Sequence, residues 1–239
     1  LLGVGVGASG LVNPHTGVNV LAPNLGWRDV PIRDWLAERL DLPVVVDNNA
    51  RAMALGEATF GAGRDVQALA FVYARIGVGA GFILNGQLYR GGAGAGEIGH
   101  VRVVDNGESC LCGQTGCLET VASTPGRINQ ARQIAIENHA TKLRQLITSP
   151  EEITTDIILR AYEAGDQHIK RLIISAGRYL GIATAHLVGA LNINHNFIAD
   201  SMARFGDILV DIIREEIQER AMPLLACETE IALSQLGQD

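Results

Sequence analysis

Hydrophobic and polar positions along the chain switch repeatedly between strand and helix periods. The opening "LLGVGV" reads as a buried strand. "PIRDWLAERL", 31–40, reads as a helix with Pro31 in its first turn. "LPVVV" is the next strand. Its β-branched residues run into Asp47, and a short turn leads to a helix from about Ala50 to near Gly61. Residues 67–74 and 79–84 read as strands, and Asn85-Gly86 between apolar runs predicts a hairpin. Residues 94–122 read as a glycine- and cysteine-rich loop with short helices. Residues 154–166 form a helical pattern with a threonine cap. A longer helix follows over 166–191. Its stripe runs through Ile169, Leu172, Ile173, Ala176, Leu180, Ala183, Leu187 and Ala190. "NFIAD" (196–200) is a strand, 205–220 a helix and 228–233 a last strand. There is no internal repeat and no low-complexity segment. This mixture of strands, a hairpin and helices is α/β.

The chain has 239 residues, enough for one large domain or two lobes. Hydrophobic residues at 47% and charged residues at 19% are ordinary for a soluble globular protein. The net charge of −7 argues against this segment gripping a phosphate backbone. No apolar run approaches the roughly 18 residues that span a bilayer, so no membrane association is expected. The chain opens with neither an initiator Met nor a basic leader, so a signal peptide is not expected, and the N-terminal part reads as missing. The 28 glycines cluster at strand ends, which points to tight turns near a ligand rather than to a linker.

Four cysteines refine this picture. Cys110, Cys112 and Cys117 lie within eight residues, and Cys227 stands alone. Such spacing suits a metal loop better than disulfides, which implies a reducing, cytoplasmic setting. Together with His100 they form H-x9-C-x-C-x4-C. One imidazole and three thiolates are the donor set of a closed structural zinc site. Gly113 and Gly116 let the backbone turn around the metal.

The stretch "GEIGH…CLCGQTGCLE" resembles the signature of the ROK family (repressors, open reading frames and kinases), with C-x-C-G-x-x-G-C-x-E matched from Cys110 to Glu119. "GVGASGLVNPHTG", "APNLGW" and "LGEATFGAGR" resemble family segments in the family's order. The resemblance implies a two-lobed actin-like (ribonuclease H-like) fold with sugar in the interlobe cleft. Residues 1–62 would be the remainder of the smaller N-terminal lobe, and 63–239 the larger lobe with a zinc loop at 97–119. It also implies zinc on His100, Cys110, Cys112 and Cys117, and sugar contacts at Asn48, Asn49, Glu97, His100 and Glu119. Carboxylates and amides suit hydroxyls, which both donate and accept. Glu97 and His100, three apart, share one face of a helical turn. His100 could place one ring nitrogen on zinc and turn the other toward the ligand.

The chain departs from the family's kinases at three places. They resemble "N-D-A-N" at the strand tip, where the aspartate takes a proton from the sugar hydroxyl. Here Asn48-Asn49-Ala50-Arg51 puts an amide at the base position. Losing a positioned base typically costs about 10²–10⁴-fold in rate. Asp47 could substitute only if the strand persisted to Asn49. The kinases also carry "GTGIGGG" around ATP, whereas this chain has "RIGVGAG" over 75–81, with Ile76 for the threonine and Arg75 for a glycine. Its glycines can serve close packing alone. Asp200-Ser201 replaces a glycine pair beside the nucleotide, and a carboxylate there would repel phosphate.

These departures lead to the expectation of a sugar-responsive transcriptional repressor's effector core, a non-enzyme that needs zinc and not ATP. Its partners would be a monosaccharide, operator DNA through a preceding winged helix-turn-helix, and further copies in a homodimer or homotetramer. The alternatives are an ATP-dependent sugar kinase with an unusual base and a zinc-stapled scaffold without a ligand. Residues 124–150 and 220–239 carry no functional signal.

Overall fold

The computed structural model describes residues 1–205, 207–234 and 236, without the side chains of residues 200, 202 and 203. In chain order the N-terminal elements are β1 (Val4–Ala8), β2 (Leu11–Asn13), β3 (Val18–Ala22), β4 (Trp27–Val30), α1 (Ile32–Leu40), β5 (Val44–Asn48) and α2 (Asn49–Phe60). Then come β6 (Leu69–Ala74), β7 (Val78–Leu84), β8 (Gln87–Tyr89), α3 (Leu118–Ala122), α4 (Thr124–Glu137), α5 (Lys142–Gln145), α6 (Thr155–Glu163) and α7 (Gln167–Leu191). The chain continues through β9 (His195–Asp200), α8 (Ile208–Arg220), α9 (Pro223–Cys227) and β10 (Glu230–Leu233).

Among the described residues the strands form three sheets. β1 and β5 pair in parallel, β2, β3 and β4 form an antiparallel meander, and β10-β9-β6-β7-β8 make a mixed sheet. In the mixed sheet β9 runs parallel to β6 and β10, while β7 and β8 are antiparallel additions. The hairpin reading at Asn85-Gly86 holds, with φ of 53° and 71° at the two turn residues. The α/β class and mixed sheet fit an actin-like fold. The main core lies under this sheet, where α7 packs on α8, α3 and α4. α2 lies against β6 and β7 and also touches β1 and β5, so it joins the N-terminal sheets to the mixed sheet.

α7 is the one helix among the described residues with the length and composition to cross a membrane. It holds no uninterrupted apolar run of that length, since Lys170, Arg171 and Arg178 break it. The helix is a core element all the same. Ile169, Leu172, Ile173, Ala176 and Leu180 are buried as expected. Beyond them the buried face moves to Thr184, Ala185 and Val188, while Ala190 is exposed. A straight helix drifts off a fixed apolar stripe over many turns. Gly177 and Gly181 let α7 approach α8 closely. A Cβ at Gly181 would lie 2.6 Å from Glu216 Cβ, and one at Gly177 would lie 3.2 Å from Ile212.

The meander and α4 were not anticipated. In β3 Asn19 is as fully buried as Ala22 while Val18, Val20 and Leu21 are only partly buried, so the polar-apolar pattern does not match a half-buried strand. The Asn19 amide donates to the Ser9 carbonyl at 2.8 Å. α4 buries Gly126, Arg127, Ala131 and Ala135, which leaves no strong apolar stripe.

Candidate functional site

β5 runs directly into α2 without an intervening turn, because Asn48 is the helix N-cap. Its Oδ1 accepts from the Ala50 and Arg51 backbone N–H groups at 2.9 and 3.2 Å. Its Nδ2 donates to the Gly10 carbonyl at 2.9 Å. Asn48 lines the cleft, but its oxygen is committed to the cap, so toward a ligand it offers an N–H only. Asn49 is the first residue of α2, and among the described residues its side chain makes no hydrogen bond.

Asp47 is held elsewhere. Its carboxylate accepts from Arg51 Nε at 2.7 Å, from Arg90 Nε at 2.8 Å and from its neighbour's backbone N–H at 2.8 Å. Burial alone would raise its pKa, but the hydrogen bonds from Arg90 and Arg51 outweigh burial and hold the carboxyl below its usual range. The strand ends at Asn48, so the condition for Asp47 to replace the missing base is not met. Arg51 is fully buried. It also donates to the carbonyls of Ala93 at 2.8 Å and Val12 at 3.0 Å, tying β2, the strand tip and the 90–96 turn into one unit. Sequence reading missed this network, since no local pattern announces a buried arginine.

The depressed pKa of Asp47 makes stability depend on pH. Its contribution is complete above the unfolded carboxyl value of about 3.9, and it fades as pH falls through the lower folded-state value. Circular dichroism melts are expected to show stability declining below about pH 4. Asp47→Asn is expected to flatten that decline; an unchanged acid profile would contradict it.

The glycines of "RIGVGAG" make room for packing. A Cβ at Gly81 would lie 2.5 Å from the Ala50 carbonyl, so β7 needs glycine to meet α2. A Cβ at Gly77 would lie 2.7 Å from Glu119 Oε2. Glu119 sits in the first turn of α3, and that same oxygen accepts from the Val78 backbone N–H at 3.1 Å. Glu97 precedes a 3-10 turn, Ile98–His100. Its Oε2 lies 3.9 Å from His100 Nε2. Burial raises the Glu97 pKa, aided by Glu119 and opposed by His100 and Arg51.

Asn48, Asn49, Glu97, His100 and Glu119 line one cavity of about 340 Å³. Gly10 and Asn24 complete it from the N-terminal side, and Ile76 and Gly77 from the mixed-sheet side. Asn24 was missed as a wall residue. It lies in the quoted "APNLGW", in a short 3-10 turn, Pro23–Leu25. The Asp200 side chain, expected to oppose phosphate, lies outside the described ones.

Behind the cavity the ligand atoms of His100, Cys110, Cys112 and Cys117 all fall within 4.8 Å of one another. Cys110 Sγ is 3.6 Å from His100 Nδ1, and Cys112 Sγ is 3.7 Å from Cys117 Sγ. Tetrahedral zinc, with Zn–S about 2.3 Å and Zn–N about 2.0–2.1 Å, sets edges of about 3.6 Å for S···N and about 3.8 Å for S···S. The donor set and spacing therefore fit zinc. Nδ1 faces the thiols, and Nε2 is the nitrogen on the Glu97 side. Without a metal, burial pushes the Cys117 thiol up to about 12. Gly116, at φ 69°, is obligatory here, because a Cβ would lie 1.8 Å from the Val104 carbonyl.

A family model described as the ROK family matches residues 1–239. The chain belongs to the ROK family. It is 37% identical to a glucokinase of Halalkalibacterium halodurans over 241 residues, covering all of this chain and 73% of that protein. It is 33% identical to a xylose repressor of Caldicellulosiruptor bescii over 240 residues, covering 99% of this chain and 59% of that protein. The ROK chain thus spans little more than half the length of that repressor. Among solved structures, it matches a ROK family transcriptional regulator, homolog of the E. coli MLC protein. There the TM-score is 0.88 and the identity 29%, covering 99% of this chain and 59% of that one. A ROK family glucokinase from Streptomyces griseus, in complex with glucose and AMPPNP, also gives a TM-score of 0.88. Its identity is 32%, covering all of this chain and 78% of that one. Repressors and kinases of the ROK family match about equally well.

Proposed function

We propose that this chain is the sugar-sensing core of a ROK transcriptional repressor, binding one pyranose unit in the cavity without phosphorylating it. The observation that carries the reading is the strand tip. Asn49, an amide, stands where the family's kinases place their base, and Asp47 beside it is paired with two arginines. Ile76, in place of a phosphate-cradling threonine, points the same way. Residues 1–62 form the remainder of the smaller lobe and 63–239 the larger, with α2 packed against both. Zinc at His100, Cys110, Cys112 and Cys117 staples the loop that carries Glu119. Operator DNA is read by a winged helix-turn-helix preceding this segment, in a cytoplasmic homodimer or homotetramer. A second reading, an ATP-dependent sugar kinase, is favoured by the 37% identity to a glucokinase.

Glucose, xylose and N-acetylhexosamines titrated by calorimetry test the proposal. At least one is expected to bind. Asn49→Ala is expected to weaken that sugar by about 0.5–1.5 kcal/mol, the usual worth of one hydrogen bond. Unchanged affinity in Asn49→Ala would reduce the tip to a helix start with no ligand role.

A further inference from the structure

A second cavity, of about 700 Å³, adjoins the first. Asn24, Ile76 and Glu119 line both, whereas Asn48 and Asn49 line only the first. The second cavity therefore opens past Glu119, away from the strand tip. Ser109 and Leu111 of the cysteine loop form one wall, and the first turn of α4 with Asn129 forms the other. Asn129 donates to Glu108 Oε2 at 3.3 Å, so α4 and the cysteine loop are joined across the cavity rim.

The chemistry of these walls is specific. Ile76 and Leu111 are 69% and 73% exposed, large apolar side chains left to solvent at the cavity itself. Hydroxyls, amides and carboxylates surround them. A pyranose presents the matching surface, with apolar ring faces and hydroxyls at its edge. Charge narrows the class further. Among the described residues lining either cavity, Arg132 is the only Lys or Arg. Its guanidinium donates to the Pro150 and Glu151 carbonyls at 3.2 and 3.3 Å. The first turn of α4 is capped from within, since Ser123 Oγ accepts from the Gly126 N–H at 3.1 Å. Glu97, Glu108 and Glu119 are acidic. Arginine forks and lysines are the side chains that favour phosphate, and the one candidate here, Arg132, is engaged with two backbone carbonyls.

Building on the sugar-binding reading, we propose that the ligand is an uncharged glycoside of more than one ring. Its first ring lies against Asn49, Glu97 and His100. A substituent on the hydroxyl nearest Glu119 carries the second ring between Leu111, Ile76 and Asn129.

Calorimetry on the intact protein tests this with glucose and xylose, their α- and β-linked disaccharides, glucose 6-phosphate and ATP. At least one disaccharide is expected to bind about tenfold more tightly than its own monosaccharide, the worth of one or two added hydrogen bonds. Asn129→Trp, on an exposed helix face, is expected to erase that gain and leave monosaccharide binding intact. The proposal is overturned if monosaccharides bind and no disaccharide gains, or if Asn129→Trp leaves the gain unchanged. It is equally overturned if glucose 6-phosphate or ATP binds more tightly than any neutral sugar. If no sugar of any size binds, the sugar-binding reading fails and takes this proposal with it.

Discussion

Arg51→Ala is expected to cost about 3–5 kcal/mol of folding stability, the range for removing one partner of a buried ion pair. The guanidinium is fully buried and serves Asp47, Val12 and Ala93 together. Alanine would take a donor from both carbonyls and leave Asp47 with Arg90 on Oδ2 and only the Asn48 backbone N–H on Oδ1. That remaining partner places the effect toward the lower end. Arg51→Lys is not expected to rescue it, because one compact ammonium cannot span acceptors on three segments. Chemical denaturation reads the outcome. A midpoint within error of the unmodified protein would mean that the network is incidental.

Loss of the metal is the second large effect expected. Reduced, freshly purified protein should contain about one zinc per chain, and Cys112→Ser should release it. The consequence reaches the ligand cavity because the two sites share structure. Cys112 lines the cavity, and Cys117 is the N-cap residue of α3, which carries Glu119 in its first turn. Releasing the metal frees the start of α3 and with it Glu119. Sugar affinity should therefore fall along with the thermal midpoint, in the variant and after chelation. Elemental analysis that finds no zinc in the unmodified protein would remove this account of the loop.

Much of this architecture could be read from local patterns because its determinants are local. The helix that starts near Ala50, the Asn85-Gly86 turn and the threonine cap of α6 each depend on a few consecutive residues. The cysteine loop was legible for the same reason, its four donors lying within eighteen positions, from His100 to Cys117. What escaped depends on distant partners. Asn19 is buried because Ser9 offers it a carbonyl, and Arg51 because three separate segments offer acceptors. Small residues hid α4, since Gly126 and Ala131 bury well without marking an apolar stripe. The glycines after Arg75 were ambiguous in sequence between phosphate binding and packing. The positions of Ala50 and Glu119 beside them supply a packing reason.

The central claim is that the strand tip holds a sugar and does not transform it. Single-turnover mixing tests it most directly, with protein in excess over radiolabelled ATP, magnesium and the sugar that binds most tightly. The account predicts that the sugar is bound while no labelled sugar phosphate forms over many minutes. Formation of one sugar phosphate per ATP would contradict it, and would mean that a group other than Asn49 takes the hydroxyl proton.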